Sequence, residues 1–227
     1  MLRTALAAAV LLGTLAAAQA HFVFIIPDAK EPSKVVIVLS DELAPDENVT
    51  TDKVKGLVLT CRDAGGKDVP VPHAPGKHEL TATIPGSGPR VVFGSVNYGV
   101  MQKGEGKAYL LAYHPKAVIG PVAADKLVIG AKGLPVELVP VAAGSELKFQ
   151  FLASGKAQAD TEVTVIAPDG KSVKVKTDAT GHTPAFSAPG RYGAWAKSVI
   201  AVPGSVGDKK YEEARHYATL VVDVPAK

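Results

Sequence analysis

The fold class is decided by one stretch in the C-terminal half, Thr164–Val175, which reads TVIAPDGKSVKV. Two short runs with apolar residues at alternate positions flank the tripeptide Pro168-Asp169-Gly170. A period of two is typical of a half-buried β-strand, and a glycine that follows Asp supplies the positive φ that a tight turn needs. The stretch therefore predicts a β-hairpin.

The same alternation covers nearly all of the chain after residue 20, in short runs rich in Val, Ile and Thr that are separated by Gly, Pro and Asp. Such a pattern is typical of an all-β protein. The shortest predicted strands are Leu127–Ile129 and Thr183–Phe186, and the best candidate for a turn of helix is Asp208–Ala214. We therefore expect an all-β fold with very little helix.

A Gly- and Pro-rich segment, Gly130–Pro135, separates two series of predicted strands. Each series is long enough for a small sandwich, so the sequence predicts two β-sandwich domains of immunoglobulin-like or transthyretin-like type, residues 21–133 and 134–227. The alternative is that Val122–Leu127 forms an ordered connection inside one larger domain.

The first 20 residues have the pattern of a secretory signal peptide. Arg3 precedes an apolar run, Ala5–Ala18, and small residues follow at Ala18 and Ala20. The run is too short for a membrane span, and no stop-transfer segment follows it. We expect residues 1–20 to be removed, by a cut after Ala20 or after Ala18, and the protein to be exported to the periplasm or the extracellular space without spanning the membrane.

A cut after Ala20 would make His21 the first residue of the exported chain. Its α-amine and its ring Nδ1 could then close a chelate on one cation, and nitrogen pairs of this kind suit copper, nickel or zinc. A cut after Ala18 would instead leave Gln19-Ala20-His21, whose amine, two deprotonated amides and imidazole suit square-planar Cu(II) or Ni(II). Either cut predicts a transition-metal site at His21.

Two further histidines are candidates for the same site. His114 follows the apolar run Ala108–Tyr113, and His216 stands at the start of the last predicted strand. Strand ends present side chains at the rim of a sandwich, where the new N-terminus could also lie. We therefore predict His21, His114 and His216 as metal ligands. The remaining histidines fall in predicted loops and turns: His73, His78 and His182.

Composition and motifs argue against several other functions. The formal net charge is only +3, and the lysines are dispersed among acidic residues, so nucleic acid is not an expected partner. Cys61 is the single cysteine, so no intramolecular disulfide can form. The sequence has no Gly-x-Ser-x-Gly, Walker or His-Glu-x-x-His motif, which favours a non-enzymatic protein.

The acidic segment Ser40–Asp52 lacks the spacing of a known calcium loop and is interpreted as a solvated loop.

Several segments together carry a resemblance to a known family. They are Ala20-His21-Phe22, Gly144–Phe149, Val165–Gly170, Thr177–Gly181, Pro189–Tyr192 and Arg215–Leu220. The chain resembles the domain-of-unknown-function 4198 (DUF4198) family of exported bacterial proteins, some of which are named nickel-uptake periplasmic components. The resemblance implies a C-terminal module like transthyretin or carboxypeptidase regulatory domains, a place in the envelope, and a link to transition-metal supply with a membrane metal transporter as partner.

Three functional hypotheses follow. The leading one is an exported, non-enzymatic protein that binds nickel or copper for metal supply or handling in the envelope. The second is an adhesion or carbohydrate-binding module that contacts its partner through aromatic residues near Tyr98, Tyr113 or Trp195. The third is an oxidative copper enzyme that uses the N-terminal histidine in a histidine brace.

Overall fold

The computed structural model describes residues 21–143 and 146–226. In these ranges the chain is nearly all β, which confirms the predicted class. The predicted signal peptide, residues 1–20, and its two cut sites lie outside the described residues. Within the described ranges, no helix has both the length and the apolar character that crossing a bilayer requires.

The described elements follow in this order: β1 (Phe22–Pro27), β2 (Lys34–Ser40), a 3-10 turn (Thr51–Lys53), β3 (Val58–Asp63), β4 (Asp68–Val71), β5 (His73–Pro75), β6 (Glu79–Thr83), β7 (Arg90–Met101), β8 (Tyr109–Ile119), α1 (Ala124–Leu127), β9 (Val136–Ala143), β10 (Glu146–Ala153), β11 (Lys156–Ala157), β12 (Glu162–Ile166), β13 (Ser172–Lys176), β14 (Gly190–Ile200), β15 (Gly204–Val206), β16 (Lys209–Tyr211) and β17 (Glu213–Val224). The hairpin predicted at Pro168–Gly170 is present, because β12 pairs with β13 and Gly170 has a φ of +81°.

A central sheet of eight strands organises the molecule, in the order β13-β12-β14-β17-β8-β7-β3-β4. Its middle pair, β8 and β17, runs parallel, and its other neighbouring strands run antiparallel. A four-stranded sheet, β1-β2-β6-β5, and a three-stranded sheet, β9 to β11, are separate from it, and β15 and β16 form a small hairpin.

The two hydrophobic cores lie on opposite faces of the central sheet, because neighbouring residues in a strand point to opposite faces. Tyr113 and Ala117 of β8 belong to the first core, together with the four-stranded sheet. Val118, also in β8, belongs to the second core, together with β9 and β10. The middle strands of the central sheet are therefore covered on both faces and contribute side chains to both cores.

Both halves of the chain contribute to each core. Ile166 and Val221 pack in the first core, and Val91 and Phe93 pack in the second. The two strand series thus meet in one continuous sheet through the β8–β17 pair. The division into domains of residues 21–133 and 134–227 stays a prediction.

Three short local predictions were wrong. Ala124–Leu127 is a helical turn where Leu127–Ile129 was expected to start a strand, and Thr183–Phe186 makes only an isolated bridge from Phe186 to Leu147. The expected helix at Asp208–Ala214 is absent from the structure: Asp208 lies in the turn of the β15–β16 hairpin, where Gly207 has a φ of +56°, and β16 and the start of β17 follow. In each case a local pattern of a few residues was too short to identify the element.

A buried ion pair fastens the connection between β8 and β9 to the sheet. Lys116 Nζ lies 2.7 Å from Glu137 Oε2, and the two side chains are 0% and 1% exposed. The Glu137 carboxylate also accepts hydrogen bonds from the backbone N–H groups of Ile129 (3.1 Å) and Gly130 (2.8 Å), while Lys116 donates to the carbonyl of Leu127 (3.1 Å). These contacts hold residues 127–130 against the face of the central sheet that packs in the second core.

Candidate metal centre

The register of the first two strands places His21 next to an acidic residue. Phe22, the first residue of β1, pairs with Ser40, the last residue of β2. Continuing this antiparallel register by one residue puts His21 opposite Asp41. Cross-strand neighbours have Cβ atoms about 4.5–5.5 Å apart, so the pairing alone brings an imidazole and a carboxylate together.

A second carboxylate reaches His21 from the loop that follows β2. Asp46 Oδ2 lies 2.7 Å from His21 Nε2. The other carboxylate oxygen, Oδ1, accepts hydrogen bonds from the backbone N–H and the side-chain amide of Asn48 (2.8 and 3.1 Å). These hydrogen bonds, first that of the Asn48 backbone and then that of His21, hold the pKa of Asp46 below its ordinary value, so its carboxylate is charged at neutral pH.

Aromatic packing fixes the backbone of His21. Phe22 stacks on Trp195 with ring centroids 4.1 Å apart, and it lies 5.4 Å from the ring of Tyr217. The Tyr113 hydroxyl donates a hydrogen bond to the His21 carbonyl (3.0 Å), and burial raises the pKa of Tyr113, so it remains a donor. The start of β1 is therefore held on a rigid aromatic base.

His21, Asp41 and Asp46 form the candidate metal centre. Within the described residues, they are the one group of three or more such side chains whose potential ligand atoms all lie within 4.8 Å of one another. All three are partly exposed, so an ion could reach them. An imidazole nitrogen with two carboxylate oxygens is a donor set that divalent first-row transition metals accept.

Sequence reasoning identified His21 but missed both carboxylates. The acidic segment 40–52 lacks the spacing of a calcium loop and was therefore predicted to be a solvated loop, not a part of the site at His21. A signal was available, because the alternating runs of β1 and β2 are joined by a short loop and would pair as neighbours, which brings the residue before β1 close to the residue after β2.

The structure brings together the other two predicted ligands, but not with His21. His114 Nε2 lies 2.8 Å from His216 Nδ1, and Ser95 Oγ lies 2.9 Å from His114 Nδ1. Tyr113 faces β1 and His21, so its neighbour His114 points to the opposite face of the central sheet. The three predicted ligands are therefore divided between the two faces, and the metal-ligand role of His114 and His216 stays a prediction.

The Ser95–His114–His216 chain favours neutral imidazoles. Desolvation, and then the neighbouring His216, lower the pKa of His114 to about 3, and burial also lowers the pKa of His216. A neutral imidazole has one N–H and one acceptor nitrogen, so the hydrogen bonds must run in one direction along the chain. At neutral pH the pair His114 and His216 is therefore uncharged.

This shift predicts a pH dependence of stability. The unfolded chain takes up a proton at His114 below its ordinary pKa of about 6.5, whereas the folded chain does so only near pH 3. Stability is therefore full above pH 6.5 and falls as the pH drops towards 3, by about 2 kcal/mol between pH 7.5 and 5. Urea unfolding of wild type and His114→Gln at both pH values checks this. An equal loss in the variant would contradict the assignment to His114.

The remaining histidines make ordinary local hydrogen bonds. His73 Nε2 and His78 Nδ1 lie 2.9 Å from the carbonyls of Leu57 and Val49, respectively. His182 Nδ1 lies 2.9 Å from the Thr180 hydroxyl, within the turn that precedes it. These contacts orient loops, and among the described residues none of the three histidines belongs to a group of three metal-ligating side chains.

The aromatic residues considered for carbohydrate binding mostly face inward. Tyr113 is only 5% exposed, and Trp195 packs on Phe22 within the first core. Tyr98 is partly exposed and makes an edge-to-face contact with Tyr113. A flat aromatic platform is therefore not formed by these residues, and their contacts account for them as packing.

Comparison with known proteins adds little to this geometry. No family model matches the sequence, and no curated protein matches it. Among solved structures, a chain titled "Biofilm associated protein - BSP domain" is similar at a TM-score of 0.21 and 13% identity, over 91% of this chain. The present chain spans 30% of the length of that structure.

Proposed function

We propose that this protein binds a divalent transition-metal ion, copper or nickel, through His21, Asp41 and Asp46, and serves metal supply or handling outside the cytoplasm. The observation that supports the proposal is the convergence of the three side chains within 4.8 Å at the start of β1. The export expected from residues 1–20 fits this role, because a cut after Ala20 or Ala18 would place His21 at or near the new N-terminus.

The site combines rigidity with access. The Tyr113 hydroxyl and the Phe22–Trp195 stack fix the His21 backbone, and the Asn48 hydrogen bonds orient Asp46. At the same time, the side chains of His21 and Asp46 are 24% and 19% exposed. A preorganised but accessible donor set suits reversible binding of an ion. By the Irving–Williams order we expect Cu²⁺ to bind more tightly than Ni²⁺ or Zn²⁺.

Metal titration of single variants tests the proposal. Calorimetric titration of the exported protein with Cu²⁺ and Ni²⁺, at pH 7.5 in a weakly coordinating buffer, should give one tight site. His21→Ala should abolish this site. Asp46→Asn keeps the shape of the side chain but removes its charge, and it should weaken binding about 10–100-fold, whether Asp46 binds the ion or orients the imidazole.

His182→Ala is the matched control. His182 Nδ1 also lies near an aspartate, 4.0 Å from Asp178 Oδ1, but no third ligand joins that pair among the described residues. Affinity should be unchanged in this variant. Equal affinity in wild type and His21→Ala would remove the proposed function.

A further inference from the structure

An open cleft lies far along the central strands from the candidate metal centre. It is open between the three-stranded sheet and the ends of β8 and β17, with Val118 and Val222 in its lining, and it encloses about 680 Å³. His21 lies near Tyr113, earlier in β8. Small-molecule sites typically enclose about 300–1,000 Å³, so the cleft has the size of a ligand pocket.

The floor of this cleft is an uncovered part of the second core. Val118 and Leu147 are 5% and 6% exposed, and Val122, Leu127 and Val222 are partly buried against the same core. The interior of a sandwich normally fills such space with side chains. Here an apolar molecule could fill it, and the burial of its surface would provide the driving force.

Four prolines make the walls of the cleft rigid and poor in backbone hydrogen-bond donors. They are Pro121, Pro140, Pro189 and Pro225. Proline fixes φ and has no backbone N–H, so these walls hold their shape. Pro140 lies within β9, the edge strand of the three-stranded sheet. An extended peptide that added to this edge would need the N–H groups of an unbroken strand, so the occupant indicated is a small molecule.

Among the described residues, the charged side chains that line the cleft are both acidic. They are Glu146 and Asp223. Asp223 already accepts two hydrogen bonds from the Arg191 guanidinium, at 2.8 and 2.9 Å. Glu146 therefore offers the carboxylate that a bound cation would meet. We propose that this cleft is a second binding site, which takes a small molecule with a compact apolar body and a protonated amine.

Three probes with the same apolar body test the proposal: 1-aminoadamantane, 1-adamantanol and adamantane-1-carboxylate. Titration followed by methyl NMR should show the amine binding with a Kd of about 0.1–1 mM, as expected for a ligand of this size. The shifts should concentrate on Val118, Leu147 and Val222. The alcohol should bind more weakly, and the carboxylate at least tenfold more weakly.

Two variants probe the site separately. Ala142→Trp, at an exposed position in the lining, fills the cleft and should weaken amine binding at least tenfold, whereas Ala179→Trp, at an exposed turn outside the lining, should leave it unchanged. Glu146→Gln should reduce the preference for the amine over the carboxylate. Absence of amine binding at 10 mM, equal binding of amine and carboxylate, or equal weakening by both tryptophans would overturn the proposal. Metal binding at His21 does not enter this test.

Discussion

Replacing Lys116 with methionine is expected to lower the free energy of unfolding by about 3–5 kcal/mol. The substitution conserves most of the side-chain volume but leaves the Glu137 carboxylate buried without its cation. Lys116 is fully buried, and burial lowers its pKa while the nearby Glu137 carboxylate opposes that shift. Each charge is tolerated in the interior only because the other lies 2.7 Å away.

An exposed lysine–carboxylate ion pair provides the control. Lys176 and Asp160 lie 2.8 Å apart with side chains 66% and 81% exposed, and such pairs contribute about 0–1 kcal/mol. Lys176→Met should therefore change the free energy of unfolding by less than about 1 kcal/mol. Urea denaturation at pH 7.5, followed by tryptophan fluorescence and by circular dichroism, measures both variants on the same scale.

A double variant separates the loss of packing from the effect of a buried carboxylate that has lost its cation. Lys116→Met/Glu137→Gln removes the charge but keeps an amide oxygen that can still accept from the N–H of Gly130, which now donates to Glu137 at 2.8 Å. The double variant should recover part of the stability lost in Lys116→Met. If Lys116→Met costs no more than Lys176→Met, the buried pair is not the element that holds residues 127–130 in place.

The fold could be predicted from local sequence where neighbouring strands are also neighbours in the chain. The hairpin at Pro168–Gly170 follows from a period of two around a turn that only a few residue types allow. The parallel pairing of β8 with β17 could not be predicted in this way, because the two strands are about 100 residues apart and neither carries a local signal of its partner. That pairing joins the two strand series into one sheet.

The candidate site shows the same limit. The leader identified His21 as a residue with special chemistry. The expectation that His114 lies at a strand end was wrong, because β8 continues to Ile119, but His114 and His216 do lie 2.8 Å apart. Alternation predicts that Tyr113 and His114 face opposite sides of their strand. Which side receives β1 depends on how the sheets stack, and this is a tertiary property. The contribution of Asp46 depends in turn on the path of a loop.

The chain that begins at His21 should bind Cu²⁺ about 100-fold more tightly than the same chain with one glycine added before His21. In the structure, Nε2 of His21 lies 2.7 Å from Asp46 Oδ2. The other ring nitrogen, Nδ1, is the one closer to the backbone along the side chain. A free α-amine on the same residue can close a ring with Nδ1, and the second bond of a chelate forms at a high effective concentration. The added glycine converts that amine into an amide, which binds a metal only after it loses a proton.

Two measurements make this prediction specific. Intact mass of the exported protein determines whether its first residue is His21 or Gln19, and competition with a chelator of known affinity compares the two chains. Ni²⁺ affinity should fall in the same direction, and Asp178→Asn, outside the site, should leave both affinities unchanged. Equal Cu²⁺ affinity with and without the glycine would mean that removal of the leader contributes no ligand, and that His21, Asp41 and Asp46 bind the ion without the α-amine.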